Sequence, residues 1–184
     1  MVEPGVDPSI ARLGHVGIHC TDLAKQKTFY RDVLGLQVTD EDPNLGMVFM
    51  SARPEEEHHE ILLCGGRNVD DRDAMLLQQV SFRCDSLEDV VGFYNRLKEH
   101  AVQFDMVVSH GNAVGVYFRD PEGNRLEVYW ATGLRARQPY LERVDLTRSP
   151  EAIMHDIIES VRLHGATGFV DRSALEKQDI GASR

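Results

Sequence analysis

HVGIHCTDLAKQKTFY, residues 15–30, aligns without a gap on QVSFRCDSLEDVVGFY, residues 79–94. Val16 falls on Val80, Cys20 on Cys84, Leu23 on Leu87, and Phe29-Tyr30 on Phe93-Tyr94. Identity at these positions, with the same apolar periodicity, marks an internal repeat. Each copy opens on a short alternating strand, His15–His19 and Gln79–Arg83. A helix start follows: Thr21-Asp22 in the first copy, and Asp85-Ser86 with Asp89 three residues after Ser86 in the second. Leu23, Phe29, Tyr30, Val33 and Leu34 then share one helical face, as do Leu87, Val90, Val91, Phe93, Tyr94 and Leu97. Gly35 stands where a helix-ending glycine belongs.

Working outward, strand-like runs follow at residues 36–39, 47–51 and 60–64, and again at 104–108, 114–119 and 125–130. The module therefore reads βαβββ twice, over about 12–66 and 75–133, within one α+β domain spanning 1–133. Residues 65–73, rich in Gly, Asn and Asp, are the expected linker. Beyond Gly133 the repeat stops, and 134–184 is expected to be an extension with one helix over about 150–164. Ser149-Pro150-Glu151 opens that helix, with proline at its tolerated first position. Its stripe of Ile153, Met154, Ile157, Ile158 and Val161 is expected to dock on its own domain, a grip on a second subunit being the alternative. Gly165 closes the helix, and the last dozen residues read as a frayed tail.

Composition narrows the function classes. The 184 residues carry 20 Lys and Arg against 30 Asp and Glu, a net charge of −10 with no basic cluster. Nucleic acid is excluded as an expected partner, because affinity for phosphate backbones comes from basic patches. No apolar run approaches the roughly 18 residues that span a bilayer, and MVEPGVDPSIARLG has neither the basic nor the apolar part of a secretory leader. Cys20, Cys64 and Cys84 leave one cysteine over in any disulfide scheme and show no Cys-x-x-Cys spacing. A reducing cytoplasm is the expected location.

Two geometric hints point to a site. Asp120-Pro121-Glu122-Gly123-Asn124 suits a type I turn followed by a left-handed glycine, which sets Asp120 opposite Asn124 and Tyr117 opposite Glu127. Directly opposed residues share a sheet face, so a phenol and a carboxylate would stand together. His15 and Gln79 are equivalent in the repeat, and two-fold-related modules would bring them together with Glu127 beside them. One nitrogen and two oxygens from His, Gln and Glu make a donor set for a divalent cation. The competing readings are plain: a structural histidine on a strand and a solvated glutamate.

LGHVGIHCTDLAKQKTFYRDVLGL, HHEILL, LQQVSFRCDSLEDVVGFYNRL and VYFRDPEGNRLEVYW resemble the vicinal-oxygen-chelate superfamily of glyoxalases, bleomycin-resistance proteins and dioxygenases. Within it they most resemble single-domain relatives of the type I extradiol dioxygenases. The resemblance implies paired curved mixed sheets around a metal-site cleft, with His15 and Glu127 as ligands. Gln79, in the pair Gln78-Gln79, stands where the family keeps a second histidine, which breaks the two-histidine, one-carboxylate triad of non-haem Fe(II). The resemblance further implies that His59 moves a proton, that His110 is a second active-site histidine, and that Tyr117 holds the substrate oxygen. His58 and His59 read otherwise as an exposed loop end, and His110 as a turn residue.

A second register is open as well. Glu60 precedes Gly66 by the count that separates Glu127 from Gly133, which would make the two glutamates equivalent and Glu60 a fourth ligand. His59 and Glu60 are expected to be neighbours on a strand, so that only one faces the cavity. Three functions follow. The first is a ring-cleaving dioxygenase for a catechol-like aromatic, with a divalent metal, Fe(II) favoured. The second is a glyoxalase- or epimerase-like lyase or isomerase using Zn, Ni, Co or Mn and an enediolate. The third is a metal-free small-molecule binding protein. The family likeness adds a homodimer or higher homo-oligomer.

Overall fold

Asp22 and Ser86 start the two helices that the repeat implies. In the computed structural model, which describes residues 15–68, 77 and 79–175, the Asp22 side chain accepts from the Lys25 amide at the head of α1 (Leu23–Asp32). Ser86 and Asp89 form a reciprocal capping box at α2 (Leu87–Glu99). Such caps satisfy amide groups that the first helical turn leaves without partners. Gly35 takes φ 79° just past α1, and its amide returns to the Arg31 carbonyl.

Contacts divide the chain into two compact units, with the boundary between residues 71 and 72. Among the described residues the first unit holds a four-stranded mixed sheet ordered β1-β4-β3-β2. Its strands are β1 (Val16–His19), β2 (Gln37–Asp42), β3 (Met47–Ser51) and β4 (Ile61–Cys64). β1 runs parallel to β4, and β2, β3 and β4 are antiparallel. Ile18, Val48, Met50, Ile61 and Leu63 alternate onto one buried face, and Phe29 and Tyr30 of α1 are buried too.

In the second unit β5 (Val80–Arg83), β6 (Phe104–Ser109), β7 (Ala113–Arg119) and β8 (Arg125–Ala131) repeat that order as β5-β8-β7-β6. Even the irregularity recurs: the ladder shifts between Val38 and Asp40 in the first unit and between Phe104 and Met106 in the second. Val114, Val116, Phe118, Leu126 and Val128 form the buried face with Val90 and Leu97 of α2. Each such side chain contributes about 1.5–3 kcal/mol by leaving water. The opposite face of β5, β7 and β8 is thereby free to carry polar groups.

The extension holds more than the single helix expected. β9 (Tyr140–Arg143) pairs antiparallel with β6, and β10 (Phe169–Val170) pairs parallel with β9, so the sheet reaches six strands. A four-residue helix, α4 (Arg172–Leu175), follows. α3 (Pro150–His164) has Ser149 as its cap and Gly165 at its end, as the sequence implies. Its apolar stripe needs one correction. Ile153 and Ile157 are buried, whereas Ile158 is 46% exposed and Ser160 takes a buried place. The reason is a polar contact: the Ser160 hydroxyl lies 2.6 Å from the Tyr140 hydroxyl, which docks α3 on its own unit. The opening residues, most of the linker, Gln78 and the tail lie outside the described residues. No helix among the described residues is long and apolar enough to cross a membrane.

Candidate metal centre

The hairpin between β7 and β8 forms as the sequence implies. Gly123 adopts φ 84°, the Asp120 carboxylate accepts from the amides of Glu122 and Asn124, and Tyr117 pairs directly with Glu127. In the parallel ladder beside it, Ser81 also pairs with Glu127. Gln79, two residues before Ser81, extends the same row. Strand alternation thus places Gln79, Ser81, Tyr117 and Glu127 on the face opposite the core.

Glu127 is the centre of this group and is only 6% exposed. Its Oε2 accepts from the Ser81 hydroxyl at 2.5 Å and from Gln79 Nε2 at 3.1 Å. Gln79 Nε2 also donates to Ser81 Oγ at 2.8 Å. Its other oxygen leans over Gly115, where a Cβ atom would come within 2.5 Å of it. Among the described residues no cation forms an ion pair with this carboxylate. A buried carboxylate without a counter-charge is costly to ionise, and a divalent cation is the ordinary remedy.

Tyr117 and His110 form a second group on the same cavity, about 370 Å³ in volume, which Ser81 and Glu127 also line. The Tyr117 hydroxyl lies 3.0 Å from His110 Nε2, and His110 Nδ1 lies 2.9 Å from the Tyr140 carbonyl. Burial raises the Tyr117 phenol well above its ordinary value, and the nearby Glu127 carboxylate pushes it the same way. The phenol therefore stays protonated and remains a donor. Arg125 sits 5.3 Å above its ring and is itself held by Asp105 at 3.0 Å.

In the first unit the His15 and His59 rings lie 4.3 Å apart between centroids, and Phe49 packs 5.1 Å from His59. His58 Nδ1 lies 3.0 Å from His59 Nδ1. Burial lowers the His59 pKa, and the neighbouring His15 and His58 lower it further. His59 is accordingly neutral at neutral pH and able to accept a proton.

Glu60 has other partners. It accepts from Arg53 at 2.8 Å, from the Ala52 amide at 2.9 Å and from Ser51 at 3.2 Å. Two expectations about it need correction. β4 begins at Ile61, so His59 and Glu60 precede the strand and its alternation does not force them to opposite faces. The count to the glycines also misaligns the repeat. Val16 pairs with Ile61 and Val80 with Leu126, so Glu60 corresponds to Arg125, and Glu127 corresponds to Leu62.

Sequence reasoning passed over Ser81, Gly115, Gln138 and Tyr140. Ser81 was readable as the same-face neighbour of Gln79, and Gly115 as a glycine inside a strand, a sign of close approach. Gln138 and Tyr140 lie beyond the repeat and carried no signal. Among the described residues no three His, Cys, Asp or Glu side chains converge on a metal-sized point. Taken unit by unit, the donors are His15 beside His59 and Gln79 beside Glu127.

The profile of the glyoxalase/bleomycin resistance protein/dioxygenase superfamily matches residues 12–128. The chain belongs to that superfamily. Among its relatives, biphenyl-2,3-diol 1,2-dioxygenase 3 of Rhodococcus globerulus is 31% identical over 121 residues, which cover 64% of this chain and 62% of that one. The manganese-dependent 2,3-dihydroxybiphenyl 1,2-dioxygenase of Geobacillus genomosp. 3 is 27% identical over 124 residues, covering 66% of this chain and 37% of that one. The match thus spans less than two thirds of the length of either relative. Of solved structures, lactoylglutathione lyase from Agrobacterium tumefaciens superposes with a TM-score of 0.53 at 21% identity, over 67% of this chain and 96% of that one. A glyoxalase/dioxygenase from Nostoc punctiforme gives 0.55 at 18% identity, over 71% and 99%. These structural likenesses show the superfamily fold and no more.

Proposed function

We propose that the protein is a metal-dependent dioxygenase that opens the ring of a catechol-like aromatic. The observation that carries the reading is Glu127: a buried carboxylate with no cationic partner among the described residues, on one cavity with a protonated phenol and an imidazole. The named dioxygenase relatives act in the same direction.

His15 in the first unit and Gln79 and Glu127 in the second are the proposed ligands for a divalent cation, Fe(II) favoured and Mn(II) compatible. Their donor set fits a hard to borderline cation. Gln79 presents its oxygen by a half-turn of its amide, which exchanges the places of oxygen and nitrogen. When bound, the cation would supply chelation of both diol oxygens and a route for electrons from the ring to dioxygen. The chain's own residues do the rest. On substrate binding Tyr117 turns its hydroxyl hydrogen from His110 to a substrate oxygen, His59 takes a proton from the incoming diol, and His110 holds Tyr117 in place until then.

The amide at Gln79 favours a second reading. A glyoxalase- or epimerase-like reaction needs no redox metal, so Zn, Ni, Co or Mn would suffice, with Glu127 as the carboxylate that moves a proton.

Metal analysis by mass spectrometry of protein purified without chelator, paired with oxygen uptake on a panel of catechols, decides between them. Stoichiometric iron or manganese with a yellow ring-opened product supports the dioxygenase. Zinc or nickel with no oxygen uptake overturns it in favour of the isomerase, and no metal even after reconstitution overturns both.

A further inference from the structure

A larger surface cavity, about 600 Å³, lies in the second unit between the loop after β8 and the end of α3. Arg135, Arg137 and Arg162 line it, with Asn112 and Leu134. Arg162 is engaged by Glu159 at 2.9 Å, whereas neither Arg135 nor Arg137 forms an ion pair with a described residue. In a chain with 20 basic and 30 acidic residues, three arginines on one cavity are a local concentration of positive potential.

The loop that carries them is tied down. The Leu134 amide donates to Thr132 Oγ1 at 3.1 Å, the Arg137 amide to the Gly165 carbonyl at 2.7 Å, and Gln138 Nε2 to the His110 carbonyl at 2.9 Å. Ala136 packs so closely on Gly111 that a Cβ there would lie 2.5 Å from the alanine methyl. The backbone that carries the arginines is therefore a fixed strap, which limits the entropy lost when they grip a ligand.

Asn112 lines this cavity and also the one that holds Tyr117 and Glu127. The two spaces adjoin at this residue. We propose that Arg135 and Arg137 form a subsite for a carboxylate on an arm of the substrate, which passes Asn112 from a ring seated at Tyr117 and Glu127. A guanidinium takes a carboxylate through two parallel hydrogen bonds, which suits a planar anionic group over a neutral polar one. The identity of the ring rests on the proposed dioxygenase function; the anionic arm rests on the arginines alone.

The test compares a catechol bearing a short carboxylate arm with the same catechol bearing the primary amide. Wild-type kcat/KM is expected to favour the acid by about tenfold, the lower range for one charge-assisted pair, and less at high salt. In the Arg135→Gln/Arg137→Gln double variant the acid-to-amide ratio falls to about one. A wild-type ratio of one, or a preference that survives in the variant, overturns the subsite and leaves ring cleavage standing. If neither compound is turned over, the ring-cleavage reading fails separately, and the subsite is read by NMR. The acid then shifts the guanidinium N–H resonances of Arg135 and Arg137 and the amide does not; equal or absent shifts overturn it.

Discussion

His110 Nδ1 lies 2.9 Å from the carbonyl oxygen of Tyr140. A carbonyl only accepts, so Nδ1 carries the proton. In the neutral ring Nε2 then holds a lone pair, and the Tyr117 hydroxyl, 3.0 Å away, donates to it. Gln138 braces this arrangement from both ends, donating to the His110 carbonyl at 2.9 Å and accepting from the Tyr140 amide at 3.0 Å. Nitrogen-15 NMR of the imidazole is expected to show one tautomer, protonated at Nδ1, in the wild type. Gln138→Ala should give a mixture. A wild-type spectrum with Nε2 protonated contradicts the assignment.

Tyr117→Phe keeps the ring under Arg125 and removes only the hydroxyl. The fold loses one hydrogen bond, about 1 kcal/mol by the usual net value. Turnover should suffer far more, about 100-fold in kcat, because a buried donor aimed at developing charge cannot be replaced by water. Denaturant unfolding and kinetics on the same preparation separate the two effects. Equal losses in both would leave Tyr117 with a structural role only.

Gly115 and Glu127 make a paired prediction. An alanine at 115 places its Cβ within 2.5 Å of a carboxylate oxygen of Glu127. The strand itself gains from the change, since glycine weakens strand interiors by about 0.5–1 kcal/mol. Net stability should hence change little, while the displaced carboxylate weakens divalent-metal affinity about 10- to 100-fold. Glu127→Gln removes this carboxylate altogether. The metal-free variant should unfold no more easily than wild type, and added metal should no longer raise its melting temperature. A variant that retains metal at wild-type affinity would rule Glu127 out as a ligand.

Much of this architecture was legible because the repeat fixes it twice. Cys20 with Cys84 and Phe29-Tyr30 with Phe93-Tyr94 set the modules in phase, and alternation in VYFRDPEGNRLEVYW placed Tyr117 opposite Glu127, as the ladder has it. The site was harder to read where contacts are distant in sequence. Nothing near Tyr140 announces that its carbonyl fixes His110, and β9 is short and follows a proline-containing loop. Glu60 shows a different failure. Counting to the next glycine assumes equal loops, but glycines mark where turns end, and only backbone pairing fixes register.

Glu60 also gives the clearest dependence on pH. Burial alone would raise its pKa above the ordinary 4.5, but hydrogen bonds from Arg53 and the Ala52 amide, with the Arg53 charge and Ser51, outweigh it and lower the pKa. A group whose pKa is lower folded than unfolded contributes stability above the unfolded value and loses it as pH falls through the folded one. The window for Glu60 therefore opens below about pH 4.5, the unfolded value. Arg53 is about half exposed, so screening by water holds the contribution to about 1 kcal/mol or less. Glu60→Gln keeps the shape and removes the titration. Urea unfolding at pH 7 should show it weaker than wild type, with the difference shrinking between pH 5 and pH 3. A gap that stays constant over that range would mean that the Glu60 charge adds nothing to the loop it closes.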